Sequence, residues 1–384
     1  MMAADRSKAA SGVPPALAAS EVSLVVRGAP QEFVCRQGCW SELETRLAAR
    51  NIGRTLIVSG RASWRAASPH FPKLRAVKAV FETYGGESTY AERDRLARII
   101  EAGRLQAVIA VGGGKVTDVS KAAANKAGVP VVVLPTLAAT CAAWTPLSIM
   151  YDEAGTMAGF DVFPRSNSLV LLDPHVLLDS PAELLAAGIG DTLAKWYEAD
   201  VVLSQADRLP VEMEIARFAA RTCRDNLLAY GEAALEALGE KRANEAFVTI
   251  VETIVMAAGM VGGFGDRCLR TAGAHSVHDG LTVLPEAHGT QHGMKVAYGI
   301  LVQLVLESKW PEIDALLPFY RRIGLPASLK EMNLHALTAE QKRAVAERSV
   351  EAGASIHLLP GEVTAEKVLA AMERLESYVA AADR

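Results

Sequence analysis

The feature of this sequence that most constrains its fold is a change of pattern near residue 174. Before that point, short runs rich in β-branched residues alternate with helical patterns, and after it the β-branched runs disappear. Short apolar runs separated by helices indicate a parallel sheet covered on both faces. The sequence therefore predicts an α/β fold: an N-terminal doubly wound parallel-sheet domain followed by an all-α C-terminal domain.

The predicted elements divide at the same point. Strands are predicted in the first part at Ser23–Val26, Thr55–Ser59, Val77–Thr83, Ala107–Val111, Val131–Leu134 and Ser168–Leu172. Helices are predicted at Trp40–Arg50, Tyr90–Ala102, Val116–Ala127, Pro181–Leu203, Pro210–Tyr230, Glu240–Met260 and Met294–Glu307. Because Ala246–Met260 contains only one charged residue, Glu252, we expect that helix to be fully buried.

Composition excludes several classes of function. Asp plus Glu number 44 against 40 Lys plus Arg, and no basic block stands out, so nucleic-acid binding is not expected. Half of the residues are hydrophobic and 22% are charged, which is typical of a globular protein. The longest nearly uncharged stretches that stand out are short or interrupted by proline, so no membrane span is predicted.

The N-terminus and the cysteines bear on where the protein works. Residues 1–20 are rich in Ala, Ser and Pro and lack the apolar run of a signal peptide, so we predict a flexible N-terminus. The five cysteines are an odd number in a long chain, and they complete neither a zinc site nor a disulfide framework. We therefore expect free thiols in a cytoplasmic protein.

A glycine-rich turn follows the fourth predicted strand. Val111 runs directly into Gly112, Gly113 and Gly114, and a helix is predicted from Val116. Glycines let a backbone approach a ligand closely, and the free N–H groups of a helix start bind phosphate. The spacing matches neither the dinucleotide fingerprint nor the P-loop, so the motif alone leaves an ordinary strand-to-helix turn open.

A second turn, Ser59-Gly60-Arg61, closes the second predicted strand. In doubly wound folds the carboxyl ends of the strands face the ligand crevice, where an acidic residue binds the ribose hydroxyls of NAD. This turn carries an arginine and no acid, which favours the 2′-phosphate of NADP(H). The alternative is an exposed loop arginine without a ligand.

Half of the eight histidines lie within 18 residues, at His275, His278, His288 and His292. The spacings of three and four place each pair on one helix face, and Pro285 forces a break between the pairs. Two elements can therefore aim imidazoles at one point, which predicts a metal site. A hydrogen-bonded core role stays open for His278 and for His288.

A divalent metal held by histidines needs a further ligand, commonly a carboxylate. The best candidate is Asp191, which interrupts an otherwise apolar helical segment where an unpaired carboxylate is costly. A helix N-cap after Gly190 is the alternative for this residue.

These motifs follow one another along the chain as Gly112-Gly-Gly-Lys115 with Asp118, Leu134-Pro-Thr136, Gly188-Ile-Gly-Asp-Thr-Leu-Ala-Lys-Trp196 and the histidine cluster. From about residue 23 to past residue 310, the chain resembles the glycerol dehydrogenase branch of the iron-containing alcohol dehydrogenase family. The resemblance implies a dinucleotide-binding domain over residues 21–174 and a metal-binding helical domain over residues 175–384. It also implies a nicotinamide cofactor in the cleft and assembly into a homo-oligomer.

Carried over by position, the resemblance implies that Asp191, His275 and His292 are the metal ligands. Members that bind iron through four protein ligands have a histidine where this chain has Lys195, so three ligands and an open position favour zinc. His278 lies three residues after His275 and is a candidate for proton exchange. The predicted cofactor residues are Ser59, Gly60, Arg61, Gly112, Gly113, Gly114, Lys115, Asp118, Thr136 and Thr140.

One departure from the family pattern bears on the substrate. Glycerol dehydrogenases have an aspartate that contacts the polyol, and Cys141 takes its place here, as a catalytic candidate or as a small thiol without chemistry. Loss of that anion favours an anionic substrate, which Lys195, Arg267 and Arg270 are candidates to bind. The segment Cys141–Ser148 resembles the hydroxycarboxylate dehydrogenase subgroup, which reduces 2-oxo acids with NADPH.

Three other functions stay open, because a fold does not determine a function. A polyol dehydrogenase follows if Cys141 does not exclude glycerol. A lyase of the dehydroquinate synthase type shares the architecture, the cofactor and the metal, but it needs several basic residues around the metal. A cofactor-binding protein without catalysis is the third alternative.

Overall fold

In a computed structural model, the chain is described over residues 24–153 and 155–382. The strands in these residues are β1 (Phe33–Cys35), β2 (Arg54–Ser59), β3 (Lys78–Thr83), β4 (Ala107–Gly112), β5 (Val131–Pro135), β6 (Leu147–Tyr151), β7 (Met157–Val162) and β8 (Leu169–Leu172). Six of them form one sheet in the order β1-β8-β5-β4-β2-β3, and β6 pairs with β7 as a separate hairpin. Every pairing in the large sheet is parallel.

Helices connect the strands of the large sheet and cover it. They are α1 (Leu43–Ala48), α2 (Arg61–Ala67), α3 (Tyr90–Ala102) and α4 (Gly114–Lys126). β2 and β4 are neighbours in the sheet although β3 lies between them in the sequence, so the order of the strands reverses at this point. In doubly wound folds, a crevice for a ligand opens where the strand order reverses, outside the carboxyl ends of the strands. Here that position lies between Ser59 and Gly112.

After β8 the described chain is helical. The helices are α5 (Pro174–Leu177), α6 (Ala182–Leu203), α7 (Val211–Gly239), α8 (Glu245–Glu252), α9 (Ala258–Gly265), α10 (Gly273–Leu281), α11 (His292–Leu306), α12 (Trp310–Ile323), α13 (Ala339–Ser349) and α14 (Ala365–Ala382). A π-helical turn at Thr253–Ala257 joins α8 to α9. α6 packs on α7 and on α11, and α11 packs on α10, so these helices form the centre of this region.

Two glycines allow the backbones around α6 to approach closely. A Cβ atom at Gly293, in the first turn of α11, would lie 1.8 Å from the carbonyl oxygen of Ala187 in α6. A Cβ atom at Gly188 would lie 2.2 Å from the carbonyl oxygen of Ala138, in the turn after β5. Only glycine fits at either position, and the contacts bring the middle of α6 against both the start of α11 and the α/β region.

The fold class predicted from the sequence is confirmed, and the division into domains at residue 174 stays a prediction. Five predicted strands are confirmed to within one residue at each end, but the prediction of Ser23–Val26 is wrong. Ser23 lies outside the described residues, and Leu24–Val26 are not in a strand. This segment instead contacts the helical region, where Val25 donates its N–H to the carboxylate of Asp266. The β6–β7 hairpin was not predicted.

The predicted helices are also found, with shifted ends. Tyr90–Ala102 is confirmed to the residue. α7 continues to Gly239, beyond the predicted end, and α11 begins at His292 rather than at Met294. The break predicted at Pro285 is confirmed by a short 3-10 turn between α10 and α11.

One helical stretch among the described residues, Glu245–Cys268, is long and apolar enough to cross a membrane by length and composition alone. Of its apolar window, 61% is buried inside the protein, and α8 and α9 pack against α7. A core helix therefore accounts for its composition. Burial of Ala246–Met260 was predicted to be complete, whereas side chains such as Glu252 are partly exposed.

Candidate metal centre and cofactor cleft

Three side chains from three helices converge at one point. Asp191 lies in the middle of α6, His275 in α10 and His292 at the start of α11. One oxygen or nitrogen atom from each lies within 4.8 Å of the others. The Oδ1 atom of Asp191 is 3.1 Å from Nε2 of His275 and 3.3 Å from Nε2 of His292. The structure thus brings the predicted ligands together, and the N-cap alternative for Asp191 is wrong because the residue is inside a helix.

A second carboxylate, Glu198, holds His275 from behind. Its Oε2 atom accepts a hydrogen bond from Nδ1 of His275 at 2.7 Å, and Oε1 accepts from the backbone N–H groups of His275 and Ala272. Because an ionised carboxylate only accepts, Nδ1 of His275 carries a proton that it donates to Glu198, and Nε2 is the nitrogen that faces Asp191. This is the carboxylate–histidine arrangement found behind metal sites. Glu198 was not predicted, although a spacing of seven from Asp191 places it on the same helix face.

His278 lies behind His292 in a similar way. Its Nε2 atom is 2.8 Å from Nδ1 of His292, and its Nδ1 atom is 2.9 Å from a carboxylate oxygen of Asp279. Since Asp279 accepts, His278 carries its proton on Nδ1, and its Nε2 accepts the Nδ1 proton of His292. Burial and the neighbouring His292 lower the pKa of His278 to about 3, so this imidazole is neutral. His288 lies apart, with its ring near the carbonyl of Thr282.

Opposite charges are buried together on α6. Lys195 lies one turn after Asp191, and both residues are less than one-tenth exposed. Burial alone would raise the pKa of Asp191, but Lys195 and the two histidines lower it well below its usual range. Burial alone would lower the pKa of Lys195, but Asp191 raises it. At neutral pH, Asp191 is therefore an anion and Lys195 a cation.

The donor set fits a divalent metal ion. One ionised carboxylate and two imidazole nitrogens suit zinc or iron, and a supporting carboxylate makes His275 a stronger donor. Burial opposes the charge on His275, yet Glu198 and Asp191 raise its pKa to about 9, so a metal ion bound at Nε2 would take the place of a proton. Lys195 donates to the carbonyl of Arg270 at 3.3 Å, and a protonated lysine has no lone pair to offer a metal.

The glycine turn lies where the cofactor prediction requires it. Gly112 ends β4 beside the end of β2, and Gly113 caps α4 without any side chain bonding to the free N–H groups. A Cβ atom at Gly113 would lie 3.1 Å from the side chain of Leu137. A narrow pocket of about 10 Å³ opens at the turn, with Thr140 and, from the π turn, Val255 among its lining residues. The geometry suits a phosphate group bound by backbone.

The turn after β2 places the three predicted cofactor residues Ser59, Gly60 and Arg61 in different surroundings. Gly60 precedes α2, and a Cβ atom there would lie 3.0 Å from the ring of Tyr84. Arg61 is the first residue of α2 and its side chain is exposed. Ser59 is fully buried and donates its hydroxyl to the carbonyl of Val111 at 2.7 Å. The hydroxyl of Ser59 therefore ties β2 to β4, and contact of this residue with the cofactor stays a prediction.

Other predicted cofactor residues also have partners inside the protein. Asp118 is buried, with one carboxylate oxygen 2.9 Å from Lys121 and the other accepting from the N–H of Ile149. This carboxylate holds β6 against α4, and its binding of the cofactor stays a prediction. Lys115 pairs with Glu87 at 2.5 Å on the rim of the turn. Thr136 donates its N–H to Gly112.

The three predicted substrate cations lie in different surroundings. Arg270 donates to Asp266 at 2.8 Å, and the side chain of Arg267 is exposed. Of the predicted cations, Lys195 is the one that lies at the metal cluster. Burial raises the pKa of the Cys141 thiol, although Lys195 opposes the effect, so this thiol is not ionised at neutral pH. A neutral thiol is a poor nucleophile, which favours the small-thiol alternative for Cys141.

Comparison with known proteins identifies the family. A family model described as iron-containing alcohol dehydrogenase matches residues 30–174. Hydroxycarboxylate dehydrogenase A of Escherichia coli (strain K12) is 37% identical over 355 residues, which cover 91% of this chain and 97% of that protein. Glycerol dehydrogenase of Citrobacter freundii is 37% identical over 295 residues, which cover 76% of this chain and 80% of that protein.

A solved structure agrees with this result. The probable glycerol dehydrogenase from Sinorhizobium meliloti 1021 matches with a TM-score of 0.85 and 30% identity, covering 94% of this chain and 100% of that one. The fold and the relatives therefore indicate an oxidoreductase. The family is one of metal-dependent dehydrogenases with a nicotinamide cofactor. This chain belongs to the iron-containing alcohol dehydrogenase family, in its glycerol dehydrogenase-like branch, as the motifs predicted.

Proposed function

We propose that this protein transfers hydride between NADP(H) and a small 2-oxo acid or 2-hydroxy acid. The observation that carries the proposal is Lys195, a buried cation one turn from Asp191 on α6. A carboxylate on the substrate is the natural partner for that charge. The similarity over 91% of the chain to a protein named hydroxycarboxylate dehydrogenase A supports the same substrate class.

Asp191, His275 and His292 are the residues that would hold the metal, with zinc favoured over iron because the protein offers three donors. When bound, such an ion supplies a Lewis acid that polarises a carbonyl group, and the nicotinamide supplies or accepts the hydride. Glu198 and His278 hold the two imidazoles so that each turns its Nε2 atom toward Asp191. The proton-exchange role of His278 stays a prediction.

The other residues bind and orient. Lys195 binds the substrate carboxylate, and Cys141 leaves the pocket without the acid that glycerol dehydrogenases use for polyols. The N–H groups after Gly113 bind the cofactor pyrophosphate at the start of α4. Arg61, exposed at the start of α2 beside Gly60, binds the 2′-phosphate of NADP(H). A cytoplasmic homo-oligomer is part of the same proposal.

The test compares two substrates on zinc-loaded enzyme. We expect NADPH consumption with 2-oxobutanoate to be faster than NAD⁺ reduction with glycerol. Lys195→Met should raise the KM for 2-oxobutanoate by roughly 10- to 100-fold, because a charge-assisted hydrogen bond is lost. Lys309→Met is the matched control, since Lys309 pairs with Glu307 and Asp200. A KM unaffected by Lys195→Met would remove the proposed carboxylate contact.

A polyol dehydrogenase is the second candidate. The similarity to glycerol dehydrogenases in sequence and in fold favours it. Faster NAD⁺ reduction with glycerol than NADPH consumption with 2-oxobutanoate would establish this alternative. The dehydroquinate synthase-like lyase is disfavoured because Arg270 is paired and Arg267 is exposed, which leaves Lys195 as the cation of the predicted set at the cluster.

A further inference from the structure

We propose that Lys121 is a positioning residue that fixes the placement of the cofactor side of the cleft relative to the metal side. Lys121 belongs to neither the metal cluster nor the glycine turn. The inference rests on the proposed function, because it concerns the step in which hydride passes between the two sides. Lys121 contacts neither reactant in this account. It acts through the backbone that it holds.

The ammonium group of Lys121 is surrounded by acceptors. It donates to the carbonyl of Ala142 at 2.8 Å, to that of Thr145 at 3.2 Å and to that of Leu147. Its charge is balanced by Asp118 at 2.9 Å, and the residue is only 2% exposed. A buried ammonium group held by three carbonyl groups and a carboxylate is rigid, because a displacement leaves the charge or a carbonyl without its partner.

Asp118 extends the same network along the chain. Its second carboxylate oxygen accepts from the N–H of Ile149 at 3.3 Å, and its carbonyl accepts from the hydroxyl of Ser148 at 2.8 Å. Lys121 and Asp118 therefore bind residues 142–149 to α4. The first residue of that helix, Gly114, belongs to the glycine turn, so the bound segment moves with the cofactor site.

The residues just before this segment contact α6, the helix that carries Asp191. The turn at residues 138–145 precedes β6, and Ala138 and Ala139 lie so close to α6 that a Cβ atom at Gly188 would be 2.2 Å from one and 2.9 Å from the other. Gly188 is three residues before Asp191. A continuous path thus runs from α4 through Lys121 and the turn to α6 and the metal cluster.

Hydride transfer depends steeply on such placement. A displacement of about 1 Å at a reacting centre costs on the order of 100-fold in rate. Loss of Lys121 should therefore lower the rate of the hydride step while each side still binds its own ligand. A residue with a structural role alone would lower stability without this separation.

The experiment uses Lys121→Met and the charge-balanced double variant Asp118→Leu/Lys121→Met in the full chain. Lys126→Met is the control, because Lys126 lies on the same helix and pairs with Asp94 at 2.7 Å near the surface. We expect zinc content, the Kd for NADPH and the KM for the carbonyl substrate to stay close to the parent values. We expect kcat to fall by roughly 30- to 100-fold, with a primary isotope effect from 4-deuterated NADPH on single turnover.

A second readout needs no bound metal and no turnover. Amides in residues 138–147 of the metal-free protein should exchange with deuterium at least about tenfold faster in Lys121→Met, because this backbone loses the group that holds it. Unchanged exchange would overturn the proposed network. Faster exchange with an unchanged kcat would overturn the positioning role. If Lys121→Met does not fold, the double variant carries the test because it leaves no unpaired buried charge.

Failure of the proposed function is distinguishable from failure of this inference. A parent enzyme that turns over neither 2-oxobutanoate nor glycerol would contradict the proposed function. The exchange measurement would still show whether Lys121 holds the turn.

Discussion

The glycine turn and the cluster of Asp191, His275 and His292 are two candidate sites built from different chemical groups. The turn consists of consecutive glycines at the end of β4, and it offers backbone N–H groups at the start of α4. The cluster consists of charged side chains, and 84 residues separate Asp191 from His275. The comparison teaches that a backbone site depends on the absence of side chains at a few positions, whereas a side-chain site depends on helices packed from distant parts of the chain.

Removing the carboxylate of the cluster should have the largest effect. Asp191→Asn keeps the size of the side chain and removes its charge, so we expect loss of bound zinc and a fall in kcat/KM of roughly 1,000-fold, since a Lewis acid is worth several kcal/mol. Metal analysis and NADPH consumption measure the two effects. Asp200→Asn on the same helix is the control, because Asp200 lies near Lys309 at the surface. Full zinc content in Asp191→Asn would mean that the site is misplaced.

The packing beneath the cluster comes next. Gly293→Ala places a Cβ atom 1.8 Å from the carbonyl oxygen of Ala187, so α11 must move away from α6. We expect a loss of roughly 3 kcal/mol in the free energy of unfolding, measured by urea denaturation. Gly239→Ala is the matched control, since no atom lies within 4 Å of its Cβ position. Equal stability of the two variants would show that the close approach of the helices is not needed.

Weakening the support of one imidazole should have a smaller effect. Glu198→Gln removes the negative charge that orients His275, and we expect zinc affinity to fall by about 10- to 100-fold. Competition with a chelator measures this affinity. Glu307→Gln serves as the control, because Glu307 is a similarly buried carboxylate that pairs with Lys309. An unchanged zinc affinity would mean that Glu198 does not contribute to metal binding and that Asp191, His275 and His292 are sufficient.

The smallest expected effect belongs to the cofactor side. Arg61→Gln should raise the KM for NADPH by roughly tenfold and leave that for NADH unchanged, because one charge-assisted contact with phosphate is lost. Arg65→Gln, one turn further along α2, is the control. Equal effects of Arg61→Gln on both cofactors would contradict the preference for NADP(H) and would leave the turn as a plain backbone site.

Local patterns account for the parts of the site that were predicted. The glycine turn, the helix that follows it and the strands of the sheet each depend on residues close together in sequence. The histidine spacing and the lone carboxylate of Asp191 pointed to the cluster before its geometry was known. The same local patterns do not show that the side chains of Ser59 and Asp118 turn inward to partners on β4 and β6, and contact of these residues with the cofactor stays a prediction.

Long-range packing accounts for what was missed. In the sequence Glu198 is an ordinary acidic residue of a helix. Its bond to His275 exists because α10 packs against α6. Lys121 is an ordinary helix lysine in the sequence, and its role depends on carbonyl groups 21 to 26 residues further along the chain. Arg270 resembled a substrate contact, but Asp266 four residues earlier takes its guanidinium.

Short segments of the sequence are enough to predict the class of fold, the glycine turn and the residues that can bind a metal. Periodicity, glycine placement and the chemistry of Asp and His are properties of short segments, so they can be read without a structure. The charges that face each other and the partner of each imidazole do not follow from such segments. Buried charges act over a few ångströms, and those distances depend on the packing of helices that are far apart in the chain.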